Sequence, residues 1–195
     1  MDSHDQEAVA AVRAVFDQVI ADGLAPESVT GATDEQVEAY AAAQGVTAVP
    51  AAVREVLRLI GVDHGLWQAG SSFGVDEIGA EAKRYARAAL AQDGGVVRDP
   101  AGLLVLVMHQ AYAFHVVDGA DLGHPDPPVW LITEGEPARP AWRSVTHWFD
   151  STGPDVAAYR TRLEVMAEVG GWMPPWARHL RRVGPVDGLP GSALT

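Results

Sequence analysis

A change in hydrophobic pattern near residue 100 constrains the fold of this chain more than any other feature. An unbroken aliphatic run, LLVLVM, covers residues 103–108, and two further apolar stretches follow at 111–117 (AYAFHVV) and 128–133 (PVWLIT). Short runs of this kind, rich in β-branched and aromatic side chains, predict three strands. The Gly-, Asp- and Pro-rich segment 118–128 predicts a turn between the last two.

Helical patterns lie on both sides of these strands. Apolar residues recur at helical spacing in six segments, and these predict helices over residues 5–22, 33–45, 50–61, 77–92, 144–150 and 154–169. Thr33 and Gln36 have the spacing of a capping box. Helices at both ends of a run of strands are typical of an α+β fold, here a central antiparallel sheet packed with N-terminal and C-terminal helices. A length of 195 residues suits a single domain over residues 1–195.

Composition narrows the class of protein. Hydrophobic residues make up 48% of the chain and charged residues 21%, which is typical of a globular protein. Cysteine is absent, and this excludes disulfides, thiolate metal ligands and a cysteine nucleophile. The start of the chain is acidic and does not resemble a secretory signal, and its longest aliphatic run is far shorter than the roughly 20 residues that span a membrane. We therefore expect a cytoplasmic protein that does not enter a membrane.

The chain is strongly acidic, with a formal net charge of −12. The charge is uneven, since residues 1–60 carry three basic and ten acidic side chains. Such a field repels nucleic-acid phosphates and favours cationic partners, so we expect no direct binding to nucleic acid. The alternative interpretation is that the negative charge only keeps the protein in solution.

Three histidines, His109, His115 and His124, stand in the strand-rich region, and they suggest a metal centre. If residues 109–117 form one straight strand, His109 and His115 lie about 20 Å apart. Zinc ligands must converge to about 2.1 Å from a single ion, so these two residues would not share one. A bulge or break near Gln110 would weaken that objection. We predict no metal site and no cofactor.

A serine-hydrolase motif offers an enzymatic alternative. Residues 70–74, GSSFG, match the G-x-S-x-G pattern with Ser72 as the nucleophile, and His147 could complete a triad with Asp118, Asp121 or Asp126. The motif requires a buried strand directly before the serine. The preceding residues, GVDHGLWQA, are instead typical of a loop. We therefore favour a protein that is not an enzyme.

Tryptophans and a basic cluster mark the end of the chain. Trp142 and Trp148 are predicted core residues, whereas Trp172 and Trp176 would either pack a terminal helix or anchor a partner. The basic cluster at 178–182 is too short for a nucleic-acid surface, and we interpret it as a solvated helix end.

Two stretches of the sequence resemble the SUKH superfamily. The first, residues 32–61, is similar to that family's amino-terminal signature of a helix, a glycine, a proline and a second helix. The second, residues 107–150, resembles its pattern of a His-Gln-Gly-Tyr segment, a strand, an acidic-Pro-Pro-Val turn, another strand and a short helix. Ala111 stands where the family usually has glycine. The matched core covers about residues 32–150 of the chain.

The resemblance implies an α+β scaffold without shared catalytic residues. Many bacterial members of the family are immunity proteins that bind a polymorphic toxin, often a nuclease. A nuclease is cationic where it holds phosphate, so an acidic inhibitor would associate with it quickly. A regulatory scaffold for an endogenous partner is the alternative within the family. The candidate contact residues are the acids near the 118–128 turn, namely Asp118, Asp121, Asp126, Glu134 and Glu136.

Overall fold

The architecture is a five-stranded sheet enclosed by helices. The structure is a computed structural model that describes residues 2–90, 96–170 and 173–181. In chain order its elements are α1 (Ser3–Asp22), α2 (Asp34–Ala43), α3 (Ala51–Ile60), β1 (Ser72–Phe73), α4 (Ala80–Leu90), β2 (Leu104–His109), β3 (Ala113–Val117), β4 (Val129–Thr133), β5 (Glu136–Trp142), α5 (Val145–Ser151) and α6 (Val156–Glu168). Short 3₁₀ turns occur at Pro26–Ser28, Gly119–Asp121 and Pro175–His179.

The sheet is antiparallel throughout, with the strand order β1-β2-β3-β4-β5. The three strands predicted from the sequence are confirmed, and so is the α+β class. Two edge strands were not predicted. β1 has only two residues, and β5 contains Pro137 and Pro140, which place it outside the usual strand pattern. Proline is tolerated there because an edge strand leaves some backbone groups without a ladder partner.

The six predicted helices are all present. Thr33 and Gln36 form the predicted capping box at the start of α2, with each side chain accepting a hydrogen bond from the other residue's backbone N–H. α4 begins at Ala80, three residues later than the pattern predicted. Pro50 is the N-cap residue of α3 and therefore precedes its first turn. None of the helices in the described residues is long and apolar enough to cross a membrane.

Side chains from α2 and from its C-cap residue, Gln44, complete the pairing of β2. β1 reaches only Val107 and Met108, so the backbone of Val105 has no strand beside it on that edge. The Gln44 carboxamide accepts the Val105 N–H at 2.8 Å and donates to its carbonyl oxygen at 3.2 Å. The Tyr40 hydroxyl donates to the same carbonyl oxygen. α2 is thereby fastened to the sheet by polar as well as apolar contacts.

One continuous core runs from Ala8 in α1 to Leu180 near the end of the described chain. Its centre includes a stack of aromatic rings from three elements: Phe16 lies 5.8 Å from Trp67, and Trp67 lies 5.1 Å from Phe149. The N-terminal helix α1 therefore completes the core, while α6 buries only Val156 fully. Trp148 is buried as predicted.

Trp67 was not predicted to be a core residue, because its Gly-punctuated surroundings are typical of a loop. At the other end of the chain, Trp176 packs edge-to-face on Tyr159. Trp172 lies outside the described residues, as does Arg182 of the basic cluster.

Candidate functional site

A tight turn brings the two strand histidines together. β2 ends at His109, and the Tyr112 N–H donates to the His109 carbonyl oxygen at 3.0 Å across Gln110 and Ala111. The returning strand β3 then places His115 beside His109, with their Nε2 atoms 3.4 Å apart. The expected separation of about 20 Å along one straight strand is therefore wrong. The chain reverses at Gln110, the position where a break would weaken that expectation.

The two histidines belong to a hydrogen-bonded series of side chains that begins at Trp148. An indole N–H can only donate, and that of Trp148 donates to Nδ1 of His115 at 3.0 Å. A neutral His115 then carries its proton on Nε2, directed at Nε2 of His109. Nδ1 of His109 forms a hydrogen bond with the Ser71 hydroxyl at 2.5 Å. Polar contacts thus link Trp148, His115, His109 and Ser71.

Burial keeps both histidines neutral near pH 7. Desolvation lowers the pKa of His115 to about 3, and the neighbouring His109 adds to the shift by like-charge repulsion. Desolvation also lowers the pKa of the half-buried His109. Trp142 covers His115 from a further side, with ring centroids 4.6 Å apart. The two histidines are therefore neutral, and the rings of Trp142 and Trp148 pack against His115.

The geometry of the histidine pair bears on whether it could bind a metal ion. Two nitrogen ligands of a tetrahedral zinc ion lie about 3.4 Å apart, so the spacing of the Nε2 atoms alone would fit an ion. The free lone pair of His115 is nevertheless on Nδ1, where Trp148 occupies it. Among the described residues, no group of three or more His, Asp or Glu side chains could hold a metal ion.

The structure does not assemble the hydrolase motif predicted at Ser72. Ser72 lies in β1 opposite Met108, and α4 begins eight residues later, so the strand-to-helix elbow is not formed. His147 lies in α5, and no described residue accepts or donates a hydrogen bond at its Nδ1. Nδ1 of His147 therefore makes no hydrogen bond to Ser72.

The acidic candidate Asp118 is a structural residue. Its side chain is 0% exposed, and its carboxylate accepts backbone N–H groups from Arg98 (2.8 Å), Asp99 (2.9 Å) and Ala120 (3.0 Å). Burial alone would raise the pKa of Asp118, but these amides and the Arg98 guanidinium outweigh it and hold the pKa below its usual value. Asp118 is therefore inaccessible to a partner, and its selection as a contact residue is corrected.

Asp121 and Asp126 are also engaged within the fold. Asp121 pairs with Arg98, and Asp126 accepts the backbone N–H of Thr146 at the start of α5 at 2.9 Å. Between them, the Pro125 carbonyl oxygen accepts the N–H of Ala52 in the first turn of α3 at 2.9 Å. The 118–128 segment therefore joins two helices and the 98–99 loop to the end of the sheet.

Glu134 and Glu136 lie at the opposite end of the sheet. β3 pairs with β4 so that Ala113 faces Thr133, and Val116, toward the far end of β3, faces Trp130. The β4–β5 turn that carries both glutamates is consequently next to the β2–β3 turn, and the Glu134 N–H donates to the Tyr112 carbonyl oxygen at 2.8 Å. The expectation that all five acids surround one turn is wrong. The register separates them into two groups.

We use the name sheet tip for residues 110–112 and 134–136. Gln110 and Ala111 have φ values of 46° and 60°, a left-handed conformation that glycine and asparagine adopt more readily. Tyr112, which follows them, is 50% exposed, and both glutamates are exposed. The sheet tip thus combines an aromatic side chain, two carboxylates and a strained turn.

No family model matches the chain, and no curated protein matches it.

Proposed function

We propose that the chain is a non-enzymatic cytoplasmic binding protein of SUKH type, an immunity protein that neutralises a cationic toxin through its sheet tip. The observation that carries the proposal is the exposure of Tyr112 beside Glu134 and Glu136 on a strained turn. Large amphipathic aromatics dominate the binding energy of many protein interfaces, and tyrosine is among the most frequent.

Strain in the turn supports a binding role. A non-glycine residue in the left-handed region costs roughly 1–2 kcal/mol, and here two such residues are consecutive. Strained backbone is concentrated at functional sites, where the surrounding structure holds it in place. The polar contacts from Trp148 through His115 reach His109, the residue directly before this turn.

The charge of the molecule supports a cationic partner. Neither Glu134 nor Glu136 forms a salt bridge with another described residue, so both carboxylates remain available to Arg or Lys side chains. A net charge of −12 would accelerate the encounter with a basic protein over a distance of about 10 Å or more at low salt. A nuclease toxin has such a basic surface.

The test is affinity capture with three matched baits in lysate of the native cells. The baits are the wild type, a tip variant with Tyr112→Ala, Glu134→Gln and Glu136→Gln, and a control variant with Tyr85→Ala, Glu35→Gln and Glu77→Gln. The control removes an exposed tyrosine and two exposed glutamates that lie outside the sheet tip, so it matches the tip variant in charge and side-chain loss. Bound proteins are identified by mass spectrometry at low and moderate salt.

We expect the wild type and the control variant to retain one stoichiometric basic protein whose binding weakens as salt rises. The tip variant should lose it. Retention by the tip variant would contradict the assignment of the site. Recovery of endogenous proteins that are not toxins, again lost in the tip variant, would support the regulatory-scaffold alternative with the same binding surface.

A further inference from the structure

A cleft of about 590 Å³ lies between the end of α2 and the outer side of α4. Small residues form most of its wall: Ala42, Ala43, Gly45, Ala80, Ala88 and Ala101. A Cβ atom placed on Gly45 would meet nothing within 4 Å, so the entrance is open on that side. The cleft is distant in sequence from the sheet tip and shares none of its residues.

Three cationic side chains line this cleft in an otherwise acidic protein, and one of them, Arg84, is paired with Glu81. Lys83 is the only lysine of the chain and is 8% exposed, with its Nζ donating to the Gln44 carbonyl oxygen at 2.6 Å. Arg87 follows one helical turn later on the same wall. Neither forms a salt bridge with any residue in the described ranges.

The positive charge of the Lys83 ammonium group has little negative charge near it among the described residues. Burial lowers the pKa of Lys83, and the charge of Arg87 lowers it further, while Asp99 opposes the shift more weakly. A neutral carbonyl oxygen is the only hydrogen-bond acceptor that the described residues offer to this ammonium. Buried charges in proteins are usually paired, so an anion between Lys83 and Arg87 would stabilise both side chains.

We propose that this cleft binds the dianion of a phosphate monoester, with its phosphoryl oxygens between Lys83 and Arg87. Two adjacent cations match a dianion, whereas a carboxylate or a phosphodiester would balance only one of them. A water molecule occupies about 30 Å³, so the cleft of about 590 Å³ also has room for a small organic group on the phosphate. The alanine-lined wall suits such a group. The site is independent of the proposed toxin binding.

The test is calorimetric titration of the intact protein with glycerol phosphate at low salt. Arg87→Gln is the test variant, because Arg87 is exposed and its loss should leave the fold intact. Arg139→Gln, which removes an exposed arginine from β5, is the matched control. We expect saturable binding by the wild type and the control, and affinity about tenfold or more lower in Arg87→Gln, since a charged hydrogen bond contributes about 1.5–3 kcal/mol.

Two other ligands define the chemical class. Dimethyl phosphate, a single anion, should bind at least about tenfold more weakly than glycerol phosphate. Inorganic phosphate should bind less tightly than the ester. Absence of saturable wild-type binding, equal affinity in Arg87→Gln, or equal affinity for dimethyl phosphate would each overturn the proposal. Tighter binding of inorganic phosphate than of the ester would overturn the assignment of an organic group.

The single lysine provides a second measurement that does not depend on a variant. An amine-acetylating reagent can modify only Lys83 and the amino terminus of the chain, and mass spectrometry of the peptides separates the two. Glycerol phosphate should slow acetylation of Lys83 and leave that of the amino terminus unchanged. Equal rates at Lys83 with and without the ester would contradict the site.

Discussion

The two ends of the sheet carry the same type of side chain in opposite situations. At the 118–128 end, three aspartates accept hydrogen bonds from backbone amides or from the Arg98 side chain: Asp118, Asp121 and Asp126. At the sheet tip, Glu134 and Glu136 are exposed and have no salt-bridge partner among the described residues. The comparison shows that carboxylates close in sequence separate into structural and available groups according to strand register. Four predictions, ordered from the largest effect to the smallest, test it.

The largest expected effect is at Asp118. Asp118→Ala removes the carboxylate that accepts three part-buried backbone N–H groups and leaves them without this partner. We expect the free energy of unfolding to fall by about 3 kcal/mol or more, as measured by urea denaturation. Asp121→Ala, which breaks a partly exposed ion pair, should cost about 1 kcal/mol or less. Equal losses in the two variants would contradict the structural role of Asp118.

The next effect is on pH dependence and comes from His115. Its pKa of about 3 in the folded protein is below the ordinary value of 6.5, so the unfolded chain binds a proton that the folded chain does not as the pH falls. Stability is therefore lost as the pH falls below about 6.5, by about 2–3 kcal/mol between pH 7 and pH 4.5. His115→Leu should flatten this slope in urea denaturation curves, although it lowers stability at pH 7. An unchanged slope would show that His115 is not buried as a neutral residue.

A smaller effect, of opposite sign, is expected at the sheet tip. Ala111→Gly removes the strain of a positive φ in the folded protein. This stabilisation exceeds the destabilisation caused by the additional conformational entropy of glycine in the unfolded chain. The free energy of unfolding should rise by about 0.5–1 kcal/mol. Ala10→Gly, at an exposed position within α1, is the matched control and should lower stability by about 1 kcal/mol. A loss of stability in Ala111→Gly would mean that the turn is not strained.

The smallest effect is expected for the glutamates of the tip. Glu134→Gln with Glu136→Gln should change the free energy of unfolding by less than about 0.5 kcal/mol, since exposed side chains without partners contribute little to folding. Thermal and urea denaturation measure this directly. A loss comparable to that in Asp118→Ala would remove the distinction between the two ends of the sheet.

Much of the fold could be predicted from the sequence, because periodicity and capping are local. The six helices and three of the strands have clear patterns, and Thr33 with Gln36 identified the start of α2. The two edge strands lack a clear pattern, because β1 has only two residues and β5 contains two prolines. The pairing of β1 depends on β2, which is distant in sequence. The pairing of β5 depends on a turn to β4 whose type the residues do not encode.

The candidate site was harder to predict for the same reason. The contact of His109 with His115 depends on a reversal at Gln110 and Ala111, residues that rarely form such a turn. The inaccessibility of Asp118 depends on the loop at residues 98–99, about 20 positions earlier in the chain. The position of Trp67 in the core depends on Phe16 of α1 and Phe149 of α5, which both stack on its ring. Each fact is set by tertiary contacts, which local patterns do not contain.

The measurement that tests the central claim most directly is amide hydrogen exchange of the protein alone and in complex with the captured partner. We expect the partner to slow exchange at residues 109–113 and 133–137, the two turns of the sheet tip and their flanking positions. Residues 118–128 should exchange at the same rate in both states, because their polar groups are already engaged within the fold. Protection of the 118–128 segment with an unchanged sheet tip would contradict the assignment of the binding surface.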